Sequence, residues 1–535
     1  MAETRSWQVR WQAAQRLAQR SARTATGSAR SAGSAAVSMT RSAAGSARSA
    51  YRSATDSART AWWAASKQQR QTVRLTASST VLGLLVAAGA VVAAGPWDSG
   101  QRTAERARAA APGGTRGEHH VPDGPAGAPP VLAALGTPAP PPGAEGLKNA
   151  LAPLLKDPAL GSLRTASVVD AATGRELFGA DSGRNATPAS TVKLAVATAA
   201  LSALGPEHRI DTTVVEGADG GLVLVGGGDP TLTARAPEQD TQDPPASLRT
   251  LADDTARALK ERGTTKIRLG YDTSAYTGPT LHPISPNENI APVTPLMADE
   301  GRLDTSRSGP APRDTDPAAA AARTFAKMLT DRGVTVEDPP AGTTAPAKAR
   351  RLATTRSLPL SGLVERMLTH SDNDIAEALA RQTALATGEP ASFEGAGRAV
   401  HKTLANLKLP LTGAVFEDGS GLDRDDKVSA TLLTRLLTLA TSPGHPELRP
   451  VVTGLPVAGF TGTLSGRYTD EKAGAGTVRA KTGTLTGVNT LAGTVVDTDG
   501  RLLLFAFMTN NTTDPQAAQQ ALDHMATAVA NCGCH

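Results

Sequence analysis

An uncharged apolar run constrains the organisation of this chain more than any other feature of its sequence. Residues 75–95 carry no charged side chain, and at 1.5 Å per helical residue they are long enough to span about 30 Å of hydrocarbon. We therefore expect a transmembrane helix there. A cleaved secretory signal is the alternative, but the 74 residues that precede the run make a far longer leader than such signals have.

The segment before this run, residues 1–74, is a low-complexity tail rich in Ser, Ala and Arg. It holds 13 Lys and Arg against two acidic residues, so the net charge of +5 originates in the tail and the rest of the chain is net negative. Because Lys and Arg favour the cytoplasmic side of a membrane, we expect the tail inside and the bulk of the chain outside. The tail either forms a helix with one arginine stripe on the inner leaflet or is disordered. Nucleic acid is not an expected partner.

The composition changes twice after the apolar run. Residues 96–146 are rich in Pro and Gly and predict an extended linker, whereas residues 147–531 have the periodic pattern of a globular domain. The two cysteines, Cys532 and Cys534, lie in the last four positions, so we expect neither a disulfide framework nor a cysteine-based zinc site to hold the fold. The terminal Cys-Gly-Cys-His either binds a metal or is a frayed end, and we favour the frayed end.

A serine and a lysine three positions apart form the first candidate for chemistry. Ser190 and Lys193 immediately precede the apolar run 194–204, so Ser190 is predicted to open a helix with Lys193 one turn on. A lysine with a lowered pKa can take the proton of a serine hydroxyl, and the first turn of a helix offers N–H groups to a developing oxyanion. Alone the motif is weak, because a capping serine beside a solvated lysine has the same spacing.

Two further motifs follow in a fixed order. Ser371-Asp372-Asn373 is predicted to lie in a short loop before a helix, and Lys481-Thr482-Gly483-Thr484 on an edge-like strand. The set S-x-x-K, S-D-N and K-T-G is characteristic of β-lactamases and penicillin-binding proteins, and the joint occurrence is far more specific than any one member. His370, beside the second motif, is predicted to be structural.

Residues 147–531 resemble the D-alanyl-D-alanine carboxypeptidases and endopeptidases of the peptidase S13 type, which are class C low-molecular-mass penicillin-binding proteins. The segments that carry the resemblance, besides the three motifs, are 228–232, 418–422, 455–459 and 462–464. The resemblance implies an α/β (α+β) fold of the β-lactamase/transpeptidase-like type, with an antiparallel sheet flanked by helices, a helical subdomain and an inserted domain.

The spacing of the motifs sets the predicted domain limits. Ser190 and Ser371 lie 181 positions apart, far more than in class A β-lactamases, so a segment is inserted between them. We expect the penicillin-binding domain to comprise residues 147–209 and 351–531, and the inserted segment to comprise residues 210–350.

The resemblance implies a role for each residue of the first two motifs. Ser190 would be the acylated nucleophile and Lys193 its base. Ser371 would relay a proton to the leaving D-alanine, and Asn373 would hold a substrate amide.

The third motif would bind the end of the substrate. Lys481 with Thr482, Gly483 and Thr484 would receive the terminal carboxylate, and the backbone N–H groups of Ser190 and Thr484 would form the oxyanion hole. The charge of Lys481 would also help to keep the base neutral.

We therefore expect a serine-type D-Ala-D-Ala carboxypeptidase, or a DD-endopeptidase that cleaves after the same D-alanine, anchored in the cell membrane with its catalytic domain extracytoplasmic. Its partners would be peptidoglycan stem peptides, with β-lactams as inhibitors, and no metal or organic cofactor is expected. A β-lactamase-like hydrolase and a catalytically idle penicillin-recognising scaffold are the alternatives.

Overall fold

The computed structural model describes residues 140–236, 244–284, 286–469 and 473–533. The predicted tail, the predicted transmembrane helix at 75–95 and most of the predicted linker lie outside the described residues, as do the last two residues of the chain. Among the helices that are described, none has the length and apolarity needed to cross a membrane.

Helices and strands alternate irregularly along the described chain. The α-helices are α1 (Ala144–Leu154), α2 (Lys193–Leu204), α3 (Leu248–Glu261), α4 (Pro317–Thr330), α5 (Leu360–His370), α6 (Asn373–Thr387), α7 (Phe393–Asn406), α8 (Ala430–Thr441), α9 (Pro450–Thr453) and α10 (Pro515–Ala530). Short 3-10 helices lie at Pro158–Leu160, Ala189–Val192, Asp299–Gly301, Pro446–Leu448 and Gly462–Leu464.

The strands of the described residues form two large sheets and two small ones. They are β1 (Leu163–Asp170), β2 (Glu176–Ala180), β3 (Asn185–Ala186), β4 (Asp211–Glu216), β5 (Leu222–Val225), β6 (Lys266–Ile267), β7 (Leu269–Asp272), β8 (Thr335–Val336), β9 (Ala341–Gly342), β10 (Arg351–Arg356), β11 (Val428–Ser429), β12 (Arg479–Leu485), β13 (Val488–Val496) and β14 (Leu502–Asn510). The small sheets pair β3 with β11 and β6 with β8.

The first large sheet is antiparallel throughout and has the strand order β12-β13-β14-β1-β2. Its middle strands are buried on both faces, because α1 and α10 pack on one side and α8 on the other. The closing helix α10 begins as the sequence predicts, with Asp514 accepting N–H bonds at the N-cap and Pro515 in the first turn. Strand β12, which carries the third motif, lies at the edge of this sheet, as expected.

A helical layer covers the face of the sheet that α8 contacts. Helices α2, α5, α6, α7 and α8 share one apolar core with side chains of β1, β13 and β14. Helix α2 is buried at every position from Lys193 to Leu201, and after Lys193 its sequence is apolar or small on all sides. The element that follows the first motif is therefore rigidly held in the centre of the layer.

The second large sheet is mixed and has its own core. Strands β10, β4 and β5 pair antiparallel, β5, β7 and β9 pair parallel, and α3 and α4 pack against them. Strand β10 begins at Arg351, in the stretch that the sequence assigned to the penicillin-binding domain, and pairs with β4. The first strand after α2, β4, and the last strand before α5, β10, are thus hydrogen-bonded neighbours in this sheet.

Candidate active site

Ser190 lies in the first helical turn before α2. This turn, Ala189–Val192, is a 3-10 helix rather than the start of an α-helix, and Ala189 adopts the left-handed value φ +48°. A non-glycine residue in that region is strained and is held there by its surroundings. The strain lies next to the serine that the first motif singles out, and Ser190 remains partly exposed.

Lys193 approaches Ser190 from beneath. Its Nζ lies 2.9 Å from Ser190 Oγ and 2.7 Å from Asn373 Oδ1, and it donates to the carbonyl oxygen of Ser420. The whole lysine side chain is buried. The first two motifs therefore meet at this amine.

Burial lowers the pKa of Lys193 to about 8, although the carboxylates of Asp418 and Asp372 pull it upward. Loss of solvent is therefore the main reason that the base can be neutral, which is one of the two causes that the sequence allows for such a lysine.

The partners of Lys193 also orient its lone pair. A neutral amine has two N–H donors and one lone pair. Asn373 Oδ1 and the Ser420 carbonyl oxygen only accept hydrogen bonds and occupy both donors. The lone pair then faces Ser190 Oγ at 2.9 Å, which is the geometry that a base needs in order to remove the hydroxyl proton.

Ser371 and Asn373 lie where α5 gives way to α6. Ser371 ends α5 in the left-handed conformation, φ +58°. Asn373 was expected in a loop but lies in the first turn of α6, because Asp372 takes the N-cap position and accepts the N–H of Ile375 at 3.0 Å. The amide Nδ2 of Asn373 donates to the carbonyl oxygen of Asn289 at 3.0 Å.

Lys481 points from the edge strand β12 toward the second motif. Its Nζ donates to Ser371 Oγ at 2.8 Å and to the carbonyl oxygen of Thr482 at 2.7 Å. Burial and the neighbouring charge of Lys193 hold the pKa of Lys481 well below its ordinary value. An anion that enters beside this lysine would favour its charged form.

Gly483 allows β12 to pass close to the nucleophile. A Cβ at this position would lie 2.6 Å from the Pro188 carbonyl oxygen and 2.1 Å from Thr490 Oγ1. The exposed Thr484 follows, and its Oγ1 accepts a long 3.5 Å contact from Gln519. The backbone N–H groups of residues 190 and 484 belong to these two adjoining segments.

A cleft of about 410 Å³ opens over these groups. The predicted site residues that line it are Ser190, Ser371, Asn373, Thr482 and Thr484. Lys193, Lys481 and Gly483 are buried behind that lining. The structure therefore brings all eight predicted residues to one place.

The charged side chains along the cleft are largely paired. Three arginines, at 302, 313 and 467, line the cleft together with two aspartates, at 372 and 374, and these arginines pair with Glu300, Asp374 and Asp523 respectively. Asp374 is bonded to Arg313 at 2.8 Å and to the N–H of Ala291 at 2.9 Å, so its charge is already neutralised.

Reasoning from the sequence missed the loop that supports the base. The 418–422 segment contributes to the family resemblance, but nothing in it indicated that the Ser420 carbonyl oxygen accepts from Lys193. Asn289, from the predicted inserted segment, was also missed. The sequence Asp-Gly-Ser-Gly at 418–421 is typical of a tight turn, and it is the signal from which this loop could have been found.

In the part of the chain that the structure describes, two buried groups of side chains have the spacing of metal ligands: His282 with Glu377 and Asp418, and Glu300 with Asp372 and Asp374. In the second group, Glu300 already pairs with Arg302 at 2.7 Å and with Arg366 at 2.6 Å. These carboxylates are neutralised by arginine and backbone N–H partners, which leaves little of the anionic character that a metal ion requires.

The site combines a nucleophile, an oriented base, an edge strand and a second buried lysine, Lys481, that contacts the Ser371 hydroxyl. Such a set is able to transfer an acyl group from an amide to a serine hydroxyl when the substrate ends in a carboxylate.

Comparison with known proteins gives the same family over the same residues. The model of the D-Ala-D-Ala carboxypeptidase 3 (S13) family matches residues 147–315 and 309–532. A carboxypeptidase of Mycobacterium tuberculosis is 39% identical over 74% of this chain and 85% of its own length. The carboxypeptidase DacB of Mycolicibacterium smegmatis is 39% identical over 77% of this chain and 89% of its own length. A D-alanyl-D-alanine carboxypeptidase of an Actinomadura species is 32% identical over 70% of this chain and 83% of its own length.

The fold is likewise that of a solved relative. Penicillin binding protein 4 of Haemophilus influenzae superimposes with a TM-score of 0.58 at 22% identity, and the match covers 72% of this chain and 97% of that one. With the family model spanning nearly all of the described residues, the chain belongs to the D-Ala-D-Ala carboxypeptidase 3 (S13) family.

Proposed function

We propose that the chain is a serine-type D-Ala-D-Ala carboxypeptidase that forms an acyl-enzyme at Ser190. The observation that carries this proposal is the contact of 2.9 Å between Lys193 Nζ and Ser190 Oγ, made by a lysine whose other two polar partners are acceptors. Its pKa of about 8 leaves a useful fraction of neutral amine near neutral pH.

Acylation begins when Ser190 Oγ attacks the carbonyl carbon between the last two D-alanines. Lys193 takes the hydroxyl proton as the C–O bond forms. The backbone N–H groups of Ser190 and Thr484 hold the oxyanion, where the loss of one donor typically costs about 3 to 4 kcal/mol. The C–N bond then breaks as the proton held by Lys193 is relayed through the Ser371 hydroxyl to the departing D-alanine amine, so that Lys193 returns to its neutral form and Ser371 keeps its hydroxyl.

Strand β12 places the substrate for this step. The terminal carboxylate of the substrate lies against Lys481, Thr482 and Thr484, where it displaces or shares the bond from Lys481 to Ser371. The incoming negative charge raises the pKa of Lys481 and so stabilises its ammonium form beside the substrate. Asn373 keeps its place beside Lys193 and holds a substrate amide. Water then hydrolyses the ester at Ser190 and releases the shortened stem peptide of peptidoglycan.

β-Lactams act as inhibitors through the same first step. The opened ring stays attached to the acyl group, so the leaving nitrogen does not diffuse away and water enters slowly. DD-endopeptidase activity requires only that the leaving amine belong to a second stem peptide. The open cleft and the absence of any chemical distinction between the two amines support both substrates for this chain.

A time course of fluorescent-penicillin labelling tests the proposal. The full-length chain should take up label that persists for many minutes and should release D-alanine from a peptide ending in D-Ala-D-Ala. The Ser190→Ala variant should do neither. Label that is rapidly lost would identify a β-lactamase-like hydrolase instead, and a folded wild type that takes up no label would identify a catalytically idle scaffold.

We also propose that residues 75–95 anchor the chain in the cell membrane with the catalytic domain outside the cytoplasm. Support comes from the uncharged run, the basic tail before it and the extended linker after it. Protease treatment of intact cells should remove the catalytic domain and leave the tail protected. Protection of the catalytic domain in intact cells, or its recovery in the soluble fraction, would contradict the anchor.

A further inference from the structure

A chain of buried hydrogen bonds connects the predicted inserted segment with the catalytic base. His282, from that segment, is buried, and its Nε2 lies 2.7 Å from Asp418 Oδ2. Asp418 is one end of the loop whose Ser420 carbonyl oxygen accepts from Lys193. The His282 imidazole bonds to Asp418, and Lys193 bonds to Ser420, two residues further along the same loop.

Asp418 organises this loop by accepting from most of its donors. Its Oδ1 accepts the N–H of Gly421 at 2.7 Å, and its Oδ2 accepts the Ser420 hydroxyl at 2.6 Å and the N–H of Leu422 at 3.0 Å. Although burial opposes ionisation, the hydrogen bonds from His282 and the loop hold the pKa of Asp418 well below its ordinary value. The carboxylate thus stays charged and keeps the turn closed.

A second carboxylate fixes the same turn from the opposite side. Glu377 Oε1 accepts the N–H groups of Gly419 at 2.8 Å and Ser420 at 2.9 Å, and its Oε2 pairs with Arg381 at 2.8 Å. With its N–H and hydroxyl both held, Ser420 has its carbonyl oxygen directed at Lys193. Any rotation of this peptide would remove one of the two acceptors that orient the lone pair of the base.

The hydrogen bonding of His282 fixes its tautomer. Its Nδ1 accepts the N–H of Ile284 at 3.2 Å, so the ring proton lies on Nε2 and is donated to Asp418. Phe393 contacts the imidazole edge to face at 5.2 Å between ring centroids, and Arg381 lies 4.1 Å above the same phenyl ring.

Five charged or titratable groups surround the pair of His282 and Asp418, and all belong to the penicillin-binding domain. They are Lys193, Glu377, Arg381, Asp423 and Asp426. Burial and the charge of Asp418 raise the pKa of Asp426, whose Oδ1 accepts the backbone N–H of Glu417 at 2.7 Å and that of Asp418 at 3.4 Å.

We propose that His282 is a positioning residue for acylation: its Nε2–H donor holds Asp418, and through the 418–423 loop it fixes the Ser420 carbonyl oxygen that orients Lys193 toward Ser190. The inference rests on the proposed function of Ser190 and adds that the inserted segment supports the nucleophile and does not serve only as a separate domain. His282 touches neither substrate nor the reacting atoms.

The proposal predicts a loss in the chemical step and not in substrate binding. Without the His282 N–H, Asp418 loses one of its hydrogen bonds, and the Ser420 carbonyl oxygen is free to move away from Lys193. The groups that receive the substrate carboxylate, Lys481, Thr482 and Thr484, lie on β12 and not on the 418–423 loop. The acylation rate constant for a β-lactam should therefore fall while its non-covalent dissociation constant stays the same.

Two substitutions of His282 distinguish the effect of its N–H donor from the effect of its packing against Phe393. His282→Phe keeps a ring against Phe393 but removes the N–H, whereas His282→Gln retains an amide N–H at nearly the same reach. We expect His282→Phe to slow acylation about tenfold or more, which corresponds to about 1.4 kcal/mol. His282→Gln should recover most of the wild-type rate.

A matched control removes another bond between the inserted segment and the helical layer. Gln382 on α6 is buried and donates to the Gly227 carbonyl oxygen at 2.7 Å and to the Tyr276 hydroxyl at 3.4 Å, two partners that lie outside the 418–423 loop. Gln382→Met should lower the unfolding temperature and leave the acylation rate constant unchanged. Stopped-flow acylation of the full-length variants, each checked for folding by thermal unfolding, gives the comparison.

The outcomes separate this inference from the proposed function. A wild type that is not acylated refutes the proposed function itself. A wild type that is acylated, with a folded His282→Phe that reacts at the same rate, overturns only the role of His282. Equal losses in His282→Phe, His282→Gln and Gln382→Met also overturn it, because they would reflect a general loss of domain packing. If His282→Phe does not fold, a loss in His282→Ala that is absent in His282→Gln supports the proposal, and no difference between these two overturns it.

Discussion

The pH dependence of acylation follows directly from the burial of Lys193. Only the neutral amine accepts the Ser190 proton, and the pKa of Lys193 is lowered to about 8. The neutral fraction is then about 1% at pH 6, about 9% at pH 7, about 50% at pH 8 and about 91% at pH 9. The acylation rate should rise roughly tenfold between pH 6 and pH 7 and should level off above pH 9.

The acylation rate rises with pH because the lowered pKa of Lys193 places its deprotonation between pH 6 and pH 9. An ordinary lysine would be almost fully protonated over this range, and its rate would still be rising at pH 10. A histidine base would instead give a limb centred near pH 6.5. The second-order acylation rate constant for a soluble β-lactam should be measured from pH 5.5 to 10, with buffers of constant ionic strength.

His370 provides the control for the alternative base. It lies at the rim of the cleft beside Ser371, and burial lowers its pKa. His370→Gln should keep the limb near pH 8. A wild-type profile that is flat from pH 6 to 9, or a limb near pH 6 that disappears in His370→Gln, would refute the assignment of Lys193 as the base.

Three further substitutions test the site and the sheet behind it. Asn373→Asp would place a carboxylate 2.7 Å from Lys193 Nζ and raise its pKa by about one to three pH units, so the limb of the acylation profile should move to higher pH. Gly483→Ala would place a Cβ 2.1 Å from a side-chain oxygen of β13 and force β12 outward; we expect a loss of about 1 to 3 kcal/mol in unfolding free energy and a large drop in labelling, and unchanged labelling would contradict the close approach. Arg501→Met would leave the buried Asp170 without its bidentate partner and should destabilise the fold by about 3 to 5 kcal/mol in denaturant unfolding, with partial recovery in the double variant that also carries Asp170→Asn.

Local patterns predicted much of the element order and the composition of the site. The apolar run after Ser190 becomes α2, and the Asp-Pro pair at 514–515 begins α10. The order and spacing of the three motifs indicated a common site, and the structure confirms the mixed α/β fold of a solved penicillin-binding protein. These features depend on neighbours in sequence or on a motif set, both of which a single sequence contains.

Features that depend on packing between distant segments were not predictable. The bond between His282 and Asp418 joins residues 136 positions apart, and the contact between Lys193 and Ser420 spans 227. Neither periodicity nor turn chemistry specifies such pairs. The 3-10 form of the turn at Ser190 is set in the same way, because the close approach of Gly483 and Gly421 to Ala189 leaves little room for a regular first turn.

The most direct test of the central claim is the site of covalent attachment. The full-length chain should be incubated with benzylpenicillin, quenched and digested, and the modified peptide sequenced by tandem mass spectrometry. We predict a single adduct of the intact drug mass on Ser190 and no adduct in Ser190→Ala. Attachment to Ser371 or to any other residue, or an adduct that persists in Ser190→Ala, would contradict the account.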